Sequence, residues 1–229
     1  MKLTFSGNKR RAIIWLHGFC ISSEIWENCI PSFEDDYCSV QIDLPGFGDS
    51  PLTYFESLSD LAEQVYQTIK SQNIPNATLI GHSLGGYICM EIIRKHPDFC
   101  DSLILFHSNA FEDSEDRKAI RQVYLDAYER FGTDFFLRNF HENLFYQKKT
   151  ELIESLKEKH ADISVETLQR YTAAMKARKG YDDILMNHIP KMIISGAFDK
   201  AISSEEYLKM YNKAENCELL ILSNSAHMG

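Results

Sequence analysis

Ser83, Asp199 and His227 are the residues of this chain whose types and placement could do chemistry together. A serine hydroxyl is a weak nucleophile unless a base removes its proton, and an imidazole does this best when a carboxylate orients it. Each of the three lies just past an apolar run. Ala77 to Ile80 leads into Gly81-His82-Ser83-Leu84-Gly85, and a helical pattern then runs to His96, where Pro97 ends it. A strand turning sharply into a helix, with a serine at the bend, needs neighbours with little or no side chain, and Gly81 and Gly85 meet that need. Asp199 closes Ser195-Gly196-Ala197-Phe198-Asp199 after the run Met192 to Ile194. His227 lies in Ser223-Asn224-Ser225-Ala226-His227-Met228 after Leu219 to Leu222.

Acyl transfer also needs donors for the oxyanion. Ala12 to Leu16 runs straight into His17-Gly18-Phe19, and the backbone N–H groups of Phe19 and of Leu84, the residue after the serine, are the expected pair. Asp43, in Asp43-Leu44-Pro45-Gly46-Phe47-Gly48-Asp49-Ser50, and Glu112 and Asp113 are the rival carboxylates for the acid's place. His17 and His82 read as structural, holding loop backbone by hydrogen bonds. For His107, a pocket-facing residue and a satisfied core histidine both stay open.

These four motifs, in the chain order Ser83, Asp199, His227 with the His-Gly loop before them, resemble the α/β-hydrolase fold, in particular small bacterial serine esterases. The resemblance covers nearly the whole chain. It implies a mostly parallel sheet with helices on both faces and a helical cap inserted after the strand that ends near His107. A serine at the elbow sets the chain apart from the dehalogenases and epoxide hydrolases of this fold, which use an aspartate there. Two departures stand out: sixteen residues precede His17 where the family has a longer lead-in, and the family's final helix after the histidine is missing before Gly229. Because Leu219 to Leu222 is apolar on successive residues, both its faces should be buried. The expectation is that the natural chain continues past Gly229, or that the sheet keeps an uncovered edge.

The elements that must position these residues alternate in the manner of an α/β domain. Strands are expected at 2–5, 11–16, 38–42, 77–81, 102–107, 191–195 and 217–222. Leu58, Leu61, Ala62, Val65, Tyr66 and Ile69 recur at amphipathic-helix offsets, with Ser57 or Ser59 as the cap. Residues 1–110 and 181–229 form the expected core. From 111 to 180 the rhythm fails, and this stretch is the expected helical cap. Ile120, Val123, Tyr124, Ala127, Tyr128 and Phe131 fit one inward helical face there, and Leu168, Tyr171, Thr172 and Met175 another. The aromatics Phe131, Phe135, Phe136, Phe140, Phe145 and Tyr146 are packing residues first, some of them lining a pocket.

A net charge of −9 without a basic cluster excludes nucleic acid and anionic membranes as partners, and leaves a homodimer open. The N-terminus is no signal peptide and no apolar run reaches the ~20 residues of a membrane span, so a cytoplasmic protein is expected. Cys20, Cys29, Cys38, Cys89, Cys100 and Cys217 lack metal-ligand spacing and read as free, mostly buried thiols. No cofactor or metal is called for. The expected activity is hydrolysis of a small carboxylic ester, thioester or lactone through an acyl-enzyme. A ligand sensor with very slow turnover, and a carbon–carbon bond hydrolase or lyase on the same three residues, are the alternatives.

Overall fold

The computed structural model describes residues 1–147 and 149–228, without the side chains of Arg138 and Asn139. Seven strands, β1 (Lys2–Ser6), β2 (Ala12–Leu16), β3 (Cys38–Asp43), β4 (Ala77–His82), β5 (Cys100–Phe106), β6 (Lys191–Gly196) and β7 (Cys217–Leu222), form one sheet in the order β1-β3-β2-β4-β5-β6-β7. Only β1 is antiparallel, pairing Lys2 with Asp43 and Ser6 with Ser39. The parallel pairs β2–β4 and β4–β5 put the strand bearing the serine motif in the middle. Order reverses there, and an open sheet of this kind leaves a crevice at its C-terminal edge where ligands bind.

Alternation along the strands divides the core. Ile14, Leu16, Leu79, Leu103, Leu105 and Ile193 point to one face, under the helices α1 (Leu58–Lys70), α2 (Leu84–Lys95) and α8 (Ser204–Lys213). Ile13, Trp15 and Ile80 point to the other, under two 3-10 turns, Ser23–Trp26 and Ile30–Ser32. Ser57 caps α1 through a reciprocal capping box with Asp60, which selects it over Ser59. α2 is buried on nearly every side, as its composition requires. On β7, Leu220 is 47% and Ile221 49% exposed, so this edge lacks the two-sided cover expected of its apolar run. Gly229 lies outside the described residues.

Between β5 and β6 the chain forms only helices: α3 (Glu115–Phe131), α4 (Asp134–Phe140), α5 (Thr150–Lys159), α6 (Val165–Ala177) and the short α7 (Asp182–Leu185). α6 buries Leu168, Tyr171, Thr172 and Met175 as its periodicity predicts. α3 does not follow its periodicity. Of the expected inward residues only Tyr128 is fully buried, while Ile120, Val123, Tyr124 and Phe131 are exposed. At 100° per residue the helix is turned by roughly 60° from the expected orientation, so that Arg117, Arg121, Tyr124 and Tyr128 share the face toward the rest of the fold. The cysteines are also less uniform than expected. Cys20, Cys89 and Cys100 are buried, Cys38 and Cys217 are intermediate and Cys29 is exposed, all as free thiols. No helix among the described residues is long and apolar enough to cross a membrane.

Candidate active site

Ser83 occupies the bend between β4 and α2 with φ 48° and ψ −112°, a backbone conformation costly for a residue with a side chain. The surroundings hold it there. Its N–H donates to the Phe106 carbonyl at 2.9 Å, and its carbonyl accepts from Gly86 N–H at 3.0 Å and from Ser108 Oγ at 2.8 Å. The glycines are required by close approach. A Cβ at Gly81 would lie 2.3 Å from Gly86 N, and one at Gly85 2.3 Å from the Leu16 carbonyl oxygen, backbone against backbone in both cases. Gly85→Ala is therefore expected to cost on the order of 3 kcal/mol or more, read as a lower urea midpoint. An unchanged midpoint would show that the bend is softer than this geometry implies.

The sheet brings the three expected residues together. His227 Nε2 lies 3.0 Å from Ser83 Oγ, and its Nδ1 lies 2.9 Å from Asp199 Oδ2. Neither Asp43 nor Asp113 takes the acid's place. Asp43 accepts from Ser23 and Asp49 N–H, and Asp113 pairs with Arg121 and Arg178. Asp199 Oδ1 accepts from the N–H groups of Ala201 at 2.8 Å and Ile202 at 3.1 Å, and Oδ2 accepts from Tyr207 Oη at 2.8 Å. Burial works against ionisation of this carboxyl. The donors His107, His227 and Tyr207 outweigh it and hold Asp199 far below the usual carboxylate range, an anion at neutral pH.

The oxyanion candidates come from two different loops, one after β4 and one after β2. Leu84 is the first residue of α2, whose N-terminal amides are unpaired within the helix. Phe19 follows the His-Gly turn after β2. Neither N–H has an intramolecular acceptor among the described residues. His17 holds that turn: its Nε2 accepts from Leu44 N–H at 2.9 Å and its Nδ1 donates to the Gly18 carbonyl at 2.7 Å. Burial pushes His17 down to about 4, against the opposing pull of the Gly18 carbonyl and Asp43. His82 Nε2 donates to the His227 carbonyl at 2.8 Å and so fixes the histidine loop.

His107 is fully buried, with φ 47° and its Nδ1 3.4 Å from Asp199 Oδ2. It thus shares that carboxylate oxygen with His227. Burial lowers its pKa, Asp199 opposing, so the ring is neutral at pH 7. His107, Asp199 and His227 bring ligand atoms within 4.8 Å of one another, a spacing a metal ion could use. The His227–Asp199 hydrogen bond and the 3.4 Å contact of His107 with the same carboxylate oxygen already account for it. A polar contact of about 1 kcal/mol with the Asp199 carboxylate predicts that His107→Phe lowers kcat on a simple ester about fivefold, with partial rescue in His107→Gln. Wild-type kcat in a folded His107→Phe protein would make His107 mere packing.

Tyr207 was not visible in the sequence, because nothing marks a tyrosine eight residues past an aspartate as its partner. For the cavity roof, the sequence offers the helical stretch and its aromatics without saying which of them face the pocket. A cavity of about 520 Å³ opens over Ser83 and His227, walled by Phe19, Phe135, Phe136 and Phe140, with α3 above it. His141 ties this helical layer to the Phe19 loop, its ring set between the carbonyls of Cys20 at 3.0 Å and Leu137 at 3.2 Å. Of the cap aromatics named from sequence, Phe131 and Tyr146 are exposed instead.

A serine at a strained bend, an imidazole–carboxylate pair and a crevice at the sheet's C-terminal edge define a class, and family comparison agrees. A model of the alpha/beta hydrolase fold matches residues 11–229, and the chain belongs to that family. It is similar to pimeloyl-[acyl-carrier protein] methyl ester esterase of Aeromonas hydrophila, 34% identical over 99 residues, which are 42% of this chain and 37% of that protein. It is also similar to 2-succinyl-6-hydroxy-2,4-cyclohexadiene-1-carboxylate synthase of Serratia proteamaculans, 31% identical over 136 residues, 52% of this chain and 53% of that one. The aligned stretches thus span about half or less of these relatives' lengths. Among solved structures, a thermophilic esterase from Thermogutta terrifontis superposes with a TM-score of 0.89 at 21% identity, covering 99% of this chain and 86% of that one. At that identity the likeness speaks for the fold.

Proposed function

We propose that the protein is a serine hydrolase that cleaves a small carboxylic ester, thioester or lactone through an acyl-enzyme on Ser83. The observation that carries this reading is the unbroken chain from Ser83 Oγ through His227 to Asp199, at 3.0 and 2.9 Å, beneath the 520 Å³ cavity. In the first half-reaction His227 Nε2 takes the Ser83 proton, Oγ attacks the carbonyl carbon, and the Phe19 and Leu84 amides receive the developing oxyanion. His227 then gives its proton to the leaving alcohol, thiol or ring oxygen. Water, deprotonated by the same imidazole, attacks the acyl-enzyme and releases the acid and Ser83. Asp199, anionic and held by the Ala201 and Ile202 amides, keeps the imidazole in the tautomer that presents Nε2 to the serine. The helical layer over the cavity excludes water and shapes the substrate, while the sheet keeps the reacting groups rigid.

The reading is tested by supplying a short aryl ester, an acyl thioester and a γ-lactone and following acid release by pH-stat. Release from at least one, saturable and lost on heating, is expected. A folded protein that liberates acid from none of them contradicts the proposal. A second reading, a lyase on the same three residues, has in its favour that one relative named above is called a synthase and not a hydrolase. It requires proton abstraction by Ser83 or His227 without an acyl-enzyme, so trapping an acylated Ser83 peptide at acid quench distinguishes the two.

A further inference from the structure

We propose that the cavity over Ser83 selects substrates that carry a free carboxylate away from the scissile carbonyl, held by Arg121 and Lys200. This rests on the hydrolase reading above and names its substrate class. The charged side chains lining the cavity are Arg117, Arg121, Lys200 and Asp113, three cations and one anion, in a chain whose net charge is −9. Concentrating positive charge in the one crevice over the serine of an acidic protein favours an anionic guest there.

The cations are not equally free. Arg117 is committed, with both Nη atoms on Glu206 at 2.9 Å and Nη2 also on the Ala201 carbonyl at 2.9 Å. Arg121 is engaged through two of its three nitrogens. Its Nε donates to Asp113 and its Nη1 lies 3.6 Å from Met175 Sδ, while its Nη2 has no acceptor among the described residues. Asp113, fully buried, accepts a second guanidinium, Arg178, at 3.0 Å, so it cannot neutralise both. Lys200 is exposed and has no partner among the described residues. It directly follows Asp199, which places its side chain at the rim of the same crevice. The rotation of α3 gives the arrangement its sense. The turn that leaves Ile120 and Val123 in solvent puts Arg117, Arg121 and Tyr124, at i, i+4 and i+7, over the cavity.

The unpaired Nη2 of Arg121 and the exposed ammonium of Lys200 line the same cavity as Ser83 and the side chains of Phe19, Phe135, Phe136 and Phe140, a lining that matches an ester with an apolar part and an anionic end. Charge-assisted hydrogen bonds of this kind are the stronger ones, and a partly enclosed cavity screens them less than open solvent does. The reaction is unchanged: the acyl–oxygen bond breaks, and water supplies hydroxyl to the acid and a proton to the alcohol.

The test compares kcat/KM at low salt for p-nitrophenyl hexanoate, p-nitrophenyl hemiadipate (carboxylate on the acyl chain) and 3-carboxy-4-nitrophenyl hexanoate (carboxylate on the leaving group), each divided by its uncatalysed rate. At least one anionic ester is expected to exceed the neutral one tenfold or more. That ratio should fall at least fivefold in Lys200→Gln and in Arg121→Gln, and should shrink as salt is raised. Arg121→Gln removes a partner of buried Asp113 and risks misfolding, whereas Lys200→Gln changes an exposed, unpartnered side chain and keeps the result readable. Hydrolysis of the hexanoate with no preference for either anionic ester overturns this proposal while leaving the hydrolase reading intact. A preference that survives both substitutions overturns the assignment to these residues. No hydrolysis of any ester fails the earlier reading instead.

Discussion

Ser83→Ala is expected to lower kcat on a short p-nitrophenyl ester by roughly 10⁴-fold or more, and His227→Ala by a similar factor. The double variant should be hardly slower than either single one. The reason is that in the proposed mechanism the two residues act as one unit. Without the 3.0 Å partner at His227 Nε2, Ser83 keeps its proton, and without Ser83 the imidazole has nothing to activate but water. What survives is catalysis by the Phe19 and Leu84 amides and by binding alone. Steady-state kinetics with active-site concentration fixed by quantitative mass spectrometry gives the answer. More than about a tenth of wild-type kcat in Ser83→Ala, or losses that multiply in the double variant, would contradict the mechanism.

The second large effect is on stability in mild acid. Burial lowers the pKa of His17, His82, His107, His141 and His160, and for His17 and His160 the values are about 4. In the unfolded chain each titrates near the ordinary 6.5. Above pH 6.5 both states are neutral and nothing is lost. Between pH 6.5 and 4 the unfolded chain binds protons that the folded chain refuses, so stability falls as pH falls. His17 and His160 alone account for a loss on the order of 4 kcal/mol between pH 7.5 and 5, and the other three act in the same direction. Asp199 contributes in a lower window. Its depressed pKa gives stability that is fully present above the unfolded carboxylate value near 4, and is lost only as pH falls toward its folded value. Urea unfolding at pH 7.5 and at pH 5 checks this. Equal unfolding free energies at the two values would mean that these imidazoles are protonated in place.

What the sequence disclosed followed from local rules. All seven strands lie where apolar runs and turn residues put them; the central parallel strands, buried on both faces, write their position as short apolar runs, whereas the edge strands β1 and β7 carry the same signal with partial exposure. Ser57 and Pro97 likewise mark helix ends through capping and ring geometry that need no tertiary information. The proximity of Ser83, Asp199 and His227 was legible because each follows a strand, and parallel strands deliver their C-terminal ends to one edge. α3 was misread. Its apolar stripe predicts the inward face, but contacts with α6 and the ion pairs of Arg117 and Arg121 turn the helix, and no periodicity encodes a partner that far along the chain. Tyr207 escapes a sequence reading, and His107 stays open in one, for the same reason, since what makes them matter is a distance to Asp199 across loops rather than a spacing in sequence.

The central claim is that Ser83 is an activated nucleophile, and a fluorophosphonate probe followed by peptide mapping tests it most directly. The expected result is a single adduct on the peptide carrying Gly81-His82-Ser83-Leu84-Gly85, assigned to Ser83 by fragmentation, and absent from folded Ser83→Ala and His227→Ala proteins. A folded wild-type protein that stays unlabelled, or that carries the adduct on another residue, would contradict the account.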